Sequence, residues 1–167
     1  MFVLWLGIRS TVQYIKHCVG QKSIHLDIQL LVFNRIVRLL WVGLAAHVTW
    51  KVAIETTNLF RYMFSDAPFV LSTSASICIY SVALFILDDV SRFVLHRGLH
   101  KVPLLWRFHQ VHHSATELTP LTFFRLHPVE SLLYQLRAVL VTGGVAGACY
   151  WVCGKGASPL EVLGVPA

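Results

Sequence analysis

The chain has 167 residues, 56% of them hydrophobic and only 13% charged, and a net charge of +6. That is too apolar for an ordinary soluble domain, in which about a quarter of residues are charged. The charge does not argue for nucleic acid, because the basic residues flank apolar stretches instead of forming a patch. Arg9, Lys16, Lys22, Arg35 and Arg38 precede the first stretch; Arg92, Arg97, Lys101, Arg107, Arg125 and Arg137 lie between the second and third.

The opening MFVLWLGI is too short to cross a bilayer and lacks the basic leader and cleavage site of a signal peptide. Residues 1–38 therefore form a basic region, cytoplasmic or interfacial, in which His17 and His25 carry no motif. The first apolar stretch starts at Leu39, with 12 uncharged residues between Arg38 and Lys51. It fits a spanning helix with Lys51 snorkelling, or a re-entrant or interfacial segment; we read it as spanning. His47 within it could be imagined as an axial haem ligand, but no histidine on another clear span partners it, so a packing role is preferred.

Ala67 to Leu87 is the clearest span, 21 residues without a charge, enough helix for the ~30 Å hydrocarbon core. The segment from Arg61 to Asp66 carries one basic residue, so the positive-inside rule puts the N-terminal region and everything just after Leu87 on the cytoplasmic side. Beyond Leu87, DDVSRFVLHRGLH has no proline, and the helix can continue to His100. His96 and His100 are four apart and share a face. Asp89, seven before His96, lies on the same stripe. It could orient a metal-bound imidazole, or form a plain solvated pair with Asp88.

Lys101-Val102-Pro103 breaks that helix, and Pro103 suits the first turn of another. There His109, His112 and His113 stand at i, i+3 and i+4, again one face. Five of the nine histidines thus fall in residues 96–113, where an even spread would put about one. Two helices with histidine faces, joined by a tight turn, predict a metal site, since neutral imidazole is a preferred transition-metal ligand. Ser114 with Glu117 fits a capping box. In RLHPVE, Pro128 suits a first helical position. That leaves His127 as a ligand, an outer partner or only a helix start, and Arg125 as a partner of Glu130 or a headgroup contact.

The third span, Ala138 to Gly154, has 17 uncharged residues, and Ser131 to Leu136 could lengthen it. Gly143 and Gly147 predict a close helix contact, within the chain or between chains. Cys149 and Cys153 read as small packing residues. With Cys18 and Cys78 they form no C-x-x-C and no disulfide framework. The expected fold is an all-α integral membrane protein of two to three transmembrane helices, with cytoplasmic helical extensions carrying the histidines.

The run HRGLH, then LWRFHQVHHS, then RLHPVE resembles the fatty acid hydroxylase superfamily, which includes the sterol desaturases. The match lies in the H-x3-H box, the H-x2-HH box followed by Ser, the R-x-H-P-x-E segment and the acid seven before the first histidine. Residues 39–167 would form the membrane domain. The resemblance implies a non-haem di-iron centre that uses O₂ to hydroxylate or desaturate a lipid or sterol. Electrons would come from a b-type cytochrome or a ferredoxin with its reductase. His96 and His100 match the first box, and His109, His112 and His113 the second; His127 is a further candidate ligand, and Asp89, Arg125 and Glu130 candidate outer partners. Zinc could occupy such a site adventitiously, and a homo-oligomer is compatible with it.

The family's later H-x2-HH box has no counterpart after His127, and two metals want about eight donors. The chain is expected to be the front part of a hydroxylase. The competing expectations are an inactive membrane fragment and a membrane protein with one mononuclear metal site. The sequence argues against a zinc protease, since no H-E-x-x-H occurs.

Overall fold

Helix α1 runs from Lys22 to Phe64, α2 from Thr73 to Lys101, α3 from Pro103 to His113 and α4 from Pro128 to Cys153, with a 3-10 turn at Pro120–Phe124 before α4. The structure, a computed structural model, describes residues 22–65, 71–116 and 118–153, and no strand occurs among them. The expectations placed on residues 1–21 (Arg9, Lys16, His17, Cys18), on 66–70 at the start of the second span, on Glu117 and on residues from Gly154 onward lie outside the described residues. The all-α expectation holds.

Two helices are long and apolar enough to cross a membrane, α1 and α4. The least clean candidate in the sequence thus belongs to a helix of 43 residues. No proline occurs between Lys22 and Phe64, so nothing interrupts the backbone ladder, and scattered charges do not break a helix. Ser65 ends it. Its φ of 66° is in the left-handed region, and its N–H donates back to the Arg61 carbonyl at 2.9 Å, as in an αL cap. Of the second expected span, the described helix begins at Thr73 and covers the 15 residues before Asp88.

The described residues fall into two units, 22–39 with 99–131 and 40–98 with 132–153. In the second unit Ala53, Val145, Ala146 and Cys149 form the buried core, with Tyr80, Ala83, Leu84 and Val141 packed on it. The G-x-x-x-G contact is within the chain. A Cβ on Gly143 would come within 2.7 Å of the Thr49 carbonyl oxygen and 2.8 Å of Val52 Cβ; one on Gly147 would collide with the Ala53 carbonyl and approach Thr56 Cβ at 2.7 Å. The buried Thr57 hydroxyl lies 2.9 Å from the Ala53 carbonyl of its own helix and 3.0 Å from the Gly147 carbonyl of α4. Arg137 reaches Asp88 at 2.7 Å and Ser91 at 2.8 Å, and Arg92 also pairs with Asp88 at 2.8 Å.

Ser114 corrects one expectation. It closes α3 instead of opening a helix: its N–H and its hydroxyl both turn back to the Val111 carbonyl. Further on, at the start of the 3-10 turn, the Thr119 N–H donates to Thr122 Oγ1 and the Thr122 N–H to the Thr119 carbonyl, both at 3.0 Å. The reason is local, since the turn at Ser114 satisfies α3's last carbonyls.

Candidate metal centre

In the unit built from 22–39 and 99–131, the break at Val102 and the proline at the first position of α3 turn the chain so that His100, at the end of α2, meets the histidine face of α3. Two Nε2 atoms approach that of His109. His109 Nε2 is 3.2 Å from His100 Nε2 and 3.2 Å from His113 Nε2, with the His100 and His113 ring centres 5.0 Å apart. Trp106 packs against all three rings, 5.5 Å from His100, 6.0 Å from His109 and 5.5 Å from His113. The sequence reading missed this tryptophan, although its position three before His109 put it on the histidine face.

His109 is buried; His100 and His113 are exposed, so the cluster is anchored on one side and open on the other. Behind His109, Nδ1 lies 2.8 Å from Glu130 Oε1, and both side chains are inaccessible. Burial, with the neighbouring His100 and His112, pushes the His109 imidazolium down to about 4. Burial likewise pushes the Glu130 carboxyl up to about 7, against the opposing pull of His112 and His100. His109 is therefore neutral at neutral pH. With Glu130 ionised, the Nδ1–H donates to the carboxylate and Nε2 carries the lone pair.

That single in-plane lone pair cannot serve both His100 and His113, whereas a cation would engage one lone pair from each ring. A metal about 2.1 Å from two nitrogens holds them about 3.0 Å apart at a right angle and about 3.4 Å apart at the tetrahedral angle. The observed 3.2 Å separations fall between these. His112 is half-buried and stacked on His109 at 5.6 Å, and its Nδ1 is buried without a hydrogen-bond partner, as is Glu130 Oε2. An all-imidazole donor set of this shape fits a divalent transition metal.

The other expected residues lie as follows. His96 is one turn before His100 on α2, and its Nδ1 is 3.4 Å from the Tyr134 hydroxyl. Tyr134, four residues after Glu130, was not singled out from the sequence. Asp89 is exposed and lines an open cleft of about 570 Å³ with Asp88, Arg92, Tyr80 and Phe85. His127 precedes α4, its Nδ1 accepting the Val129 N–H at 3.1 Å and its ring lying 5.0 Å from Phe108. Arg125 takes neither of the partners considered for it. It is buried and paired with Asp27 of α1, while His109 takes the Glu130 oxygen.

Residues 81–158, which include all six candidate histidines, match the family model described as fatty acid hydroxylase. This segment is similar to fatty acid hydroxylases over 78 of the chain's 167 residues. No curated protein and no solved structure gives a match to the chain. The family is one of oxidoreductases acting on lipids, so the hydroxylase segment and the histidine cluster point to a lipid hydroxylase-like protein.

Proposed function

We propose that the chain belongs to an O₂-dependent lipid hydroxylase or desaturase whose histidines hold non-haem iron. The observation that carries this reading is the approach of the His100 and His113 Nε2 atoms to that of His109, backed by Glu130, inside the hydroxylase segment. Iron bound there would supply O₂ activation and the oxidation of a C–H bond. The protein's part is orientation. Glu130 fixes the tautomer of His109, Trp106 packs against all three rings, and the exposed side of His100 and His113 leaves room for a reactant. His96, His112 and His127 are further ligands on this reading, with Asp89, Arg125 and Glu130 in supporting roles. A second iron makes the centre dinuclear. The substrate is a lipid or sterol reached from the bilayer, electrons come from a b-type cytochrome or ferredoxin system, and the histidine boxes face the cytoplasm of a multi-pass protein.

A second reading has its own support. Two imidazole nitrogens within 3.2 Å of His109 Nε2 suit a mononuclear site, and imidazole sites bind Zn²⁺ more strongly than Fe²⁺. Metal per chain separates the two, measured on protein purified anaerobically in detergent and loaded with ferrous iron. About two irons per chain, lost in His112→Ala/His113→Ala with membrane insertion intact, supports the di-iron reading. One tightly held zinc that iron does not displace supports the other. Retention of metal by the double variant defeats both. For topology, a cysteine at the exposed Gln110 should resist a membrane-impermeant reagent in intact cells; labelling from outside reverses the orientation.

A further inference from the structure

The largest fully buried side chain in the described residues is Arg125, and the metal reading leaves it without a direct task. Its guanidinium is held by α1 at two points: Nε pairs with Asp27, and an Nη donates to Ser23 Oγ at 2.6 Å. The other Nη reaches forward to Ser114 Oγ at 3.3 Å. Ser114 directly follows His113 and closes α3. Arg125 itself sits five residues before Glu130, in the connector that feeds α4. Around it the connector is fastened to α1 at further points. The Thr122 hydroxyl lies 3.4 Å from Asp27 Oδ2, Asn34 Nδ2 donates to the Leu126 carbonyl at 2.9 Å, and Arg35 lies over the Phe124 ring. One buried carboxylate on α1 thus holds, through one guanidinium, both the end of the histidine helix and the approach to Glu130. Asp27 lies outside the segment that matches the hydroxylase family.

We propose that Asp27 is a positioning residue for the metal centre. Through Arg125 it fixes the Ser114 end of α3 against the start of α4, and so keeps His109 in hydrogen-bond register with Glu130. This rests on the reading that His100, His109 and His113 hold a metal. The physical ground is that a buried guanidinium has fixed donor directions. Once its Nε side is locked to Asp27, the far Nη can point only one way. Ser114 gives the narrowest test, because it is exposed and its loss leaves the Asp27–Arg125 pair whole.

The experiment uses the full chain in detergent. Cobalt(II) binding is read by its ligand-field spectrum, and diethyl pyrocarbonate modification of His109 in the metal-free chain is read by mass spectrometry. The variants are Ser114→Ala, Ser114→Thr, Asp27→Asn, and the apolar pair Asp27→Leu/Arg125→Met. The last keeps the test open if Asp27→Asn fails to fold, since a buried ion pair can be replaced by apolar residues with little loss of stability. We expect cobalt to bind about tenfold or more weakly in Ser114→Ala and in the apolar pair, with His109 modified faster in both and Ser114→Thr restored to wild-type behaviour. Folded variants with wild-type cobalt affinity and wild-type His109 protection overturn the positioning role while leaving the metal reading intact. A wild-type chain that binds no cobalt, or binds it equally well as His109→Ala, overturns the metal reading and the proposal with it.

Discussion

In the unit built from 40–98 and 132–153, α1 and α4 meet through Gly143, Gly147, Ala53 and Ala146, with Thr57 as the hydroxyl between them. In the unit built from 22–39 and 99–131, four of the largest fully buried side chains are Arg125, His109, Glu130 and Asp27. The first arrangement suits helices in lipid. There apolar side chains gain nothing from meeting one another, and close backbone approach supplies the contact. The second suits a site, because every buried polar group needs a partner and each partner fixes a direction. One unit is therefore held chiefly by close backbone approach between helices, the other by buried hydrogen bonds.

The comparison breaks most severely if a side chain is forced into the helix contact. Gly147→Leu puts atoms into the Ala53 backbone and Thr56 and should cost about 3 kcal/mol or more, seen as loss of a folded, monodisperse protein in detergent. Asp27→Ala attacks the other unit. It leaves the Arg125 charge buried without its carboxylate and should lower unfolding stability by about 3–5 kcal/mol, measured by thermal or denaturant unfolding in detergent. A loss as small as that of an exposed-residue control would show that the pair is not a structural anchor.

Glu130→Gln sharpens the comparison, because it removes a charge and keeps the shape. Metal binding should weaken about 10–100-fold with little change in helix content; unchanged affinity by competition titration would mean that Glu130 does not set the His109 tautomer. The smallest effect concerns Asp88. The hydrogen bond from Arg92 holds its carboxyl below the usual range, Arg137 adds to this, and partial burial works against both. A carboxyl lowered in the folded chain contributes stability above its ordinary value near 4 and loses it as pH falls through the lowered one. Wild type should therefore lose stability more steeply than Asp88→Asn on acidification below about pH 4, and parallel curves would remove Asp88 from the account. The gap is expected to be small, because Asp88 and Arg92 are partly solvated.

The histidine faces, the break at Pro103 and the start of α4 at Pro128 were all legible in the sequence, since each depends on spacing or on proline within one or two turns. The glycine pair was legible as a contact, though not which helix it would meet. Arg125 was open between two partners, and the structure gave it a third. Asp27 could have been suspected only as the lone acid among the first 54 residues, a weak signal with no local pattern behind it.

Sequence alone therefore determined that the chain is helical, apolar and armed with imidazoles at helical-face spacing, because those properties are periodic and local. Only the tertiary structure decided that Glu130 stands behind His109, that Trp106 braces three rings, and that Asp27, 98 residues from Arg125, holds its guanidinium. Pairings at such separation depend on where the chain returns in space, and a buried charge accepts whichever opposite charge the fold brings within hydrogen-bond reach.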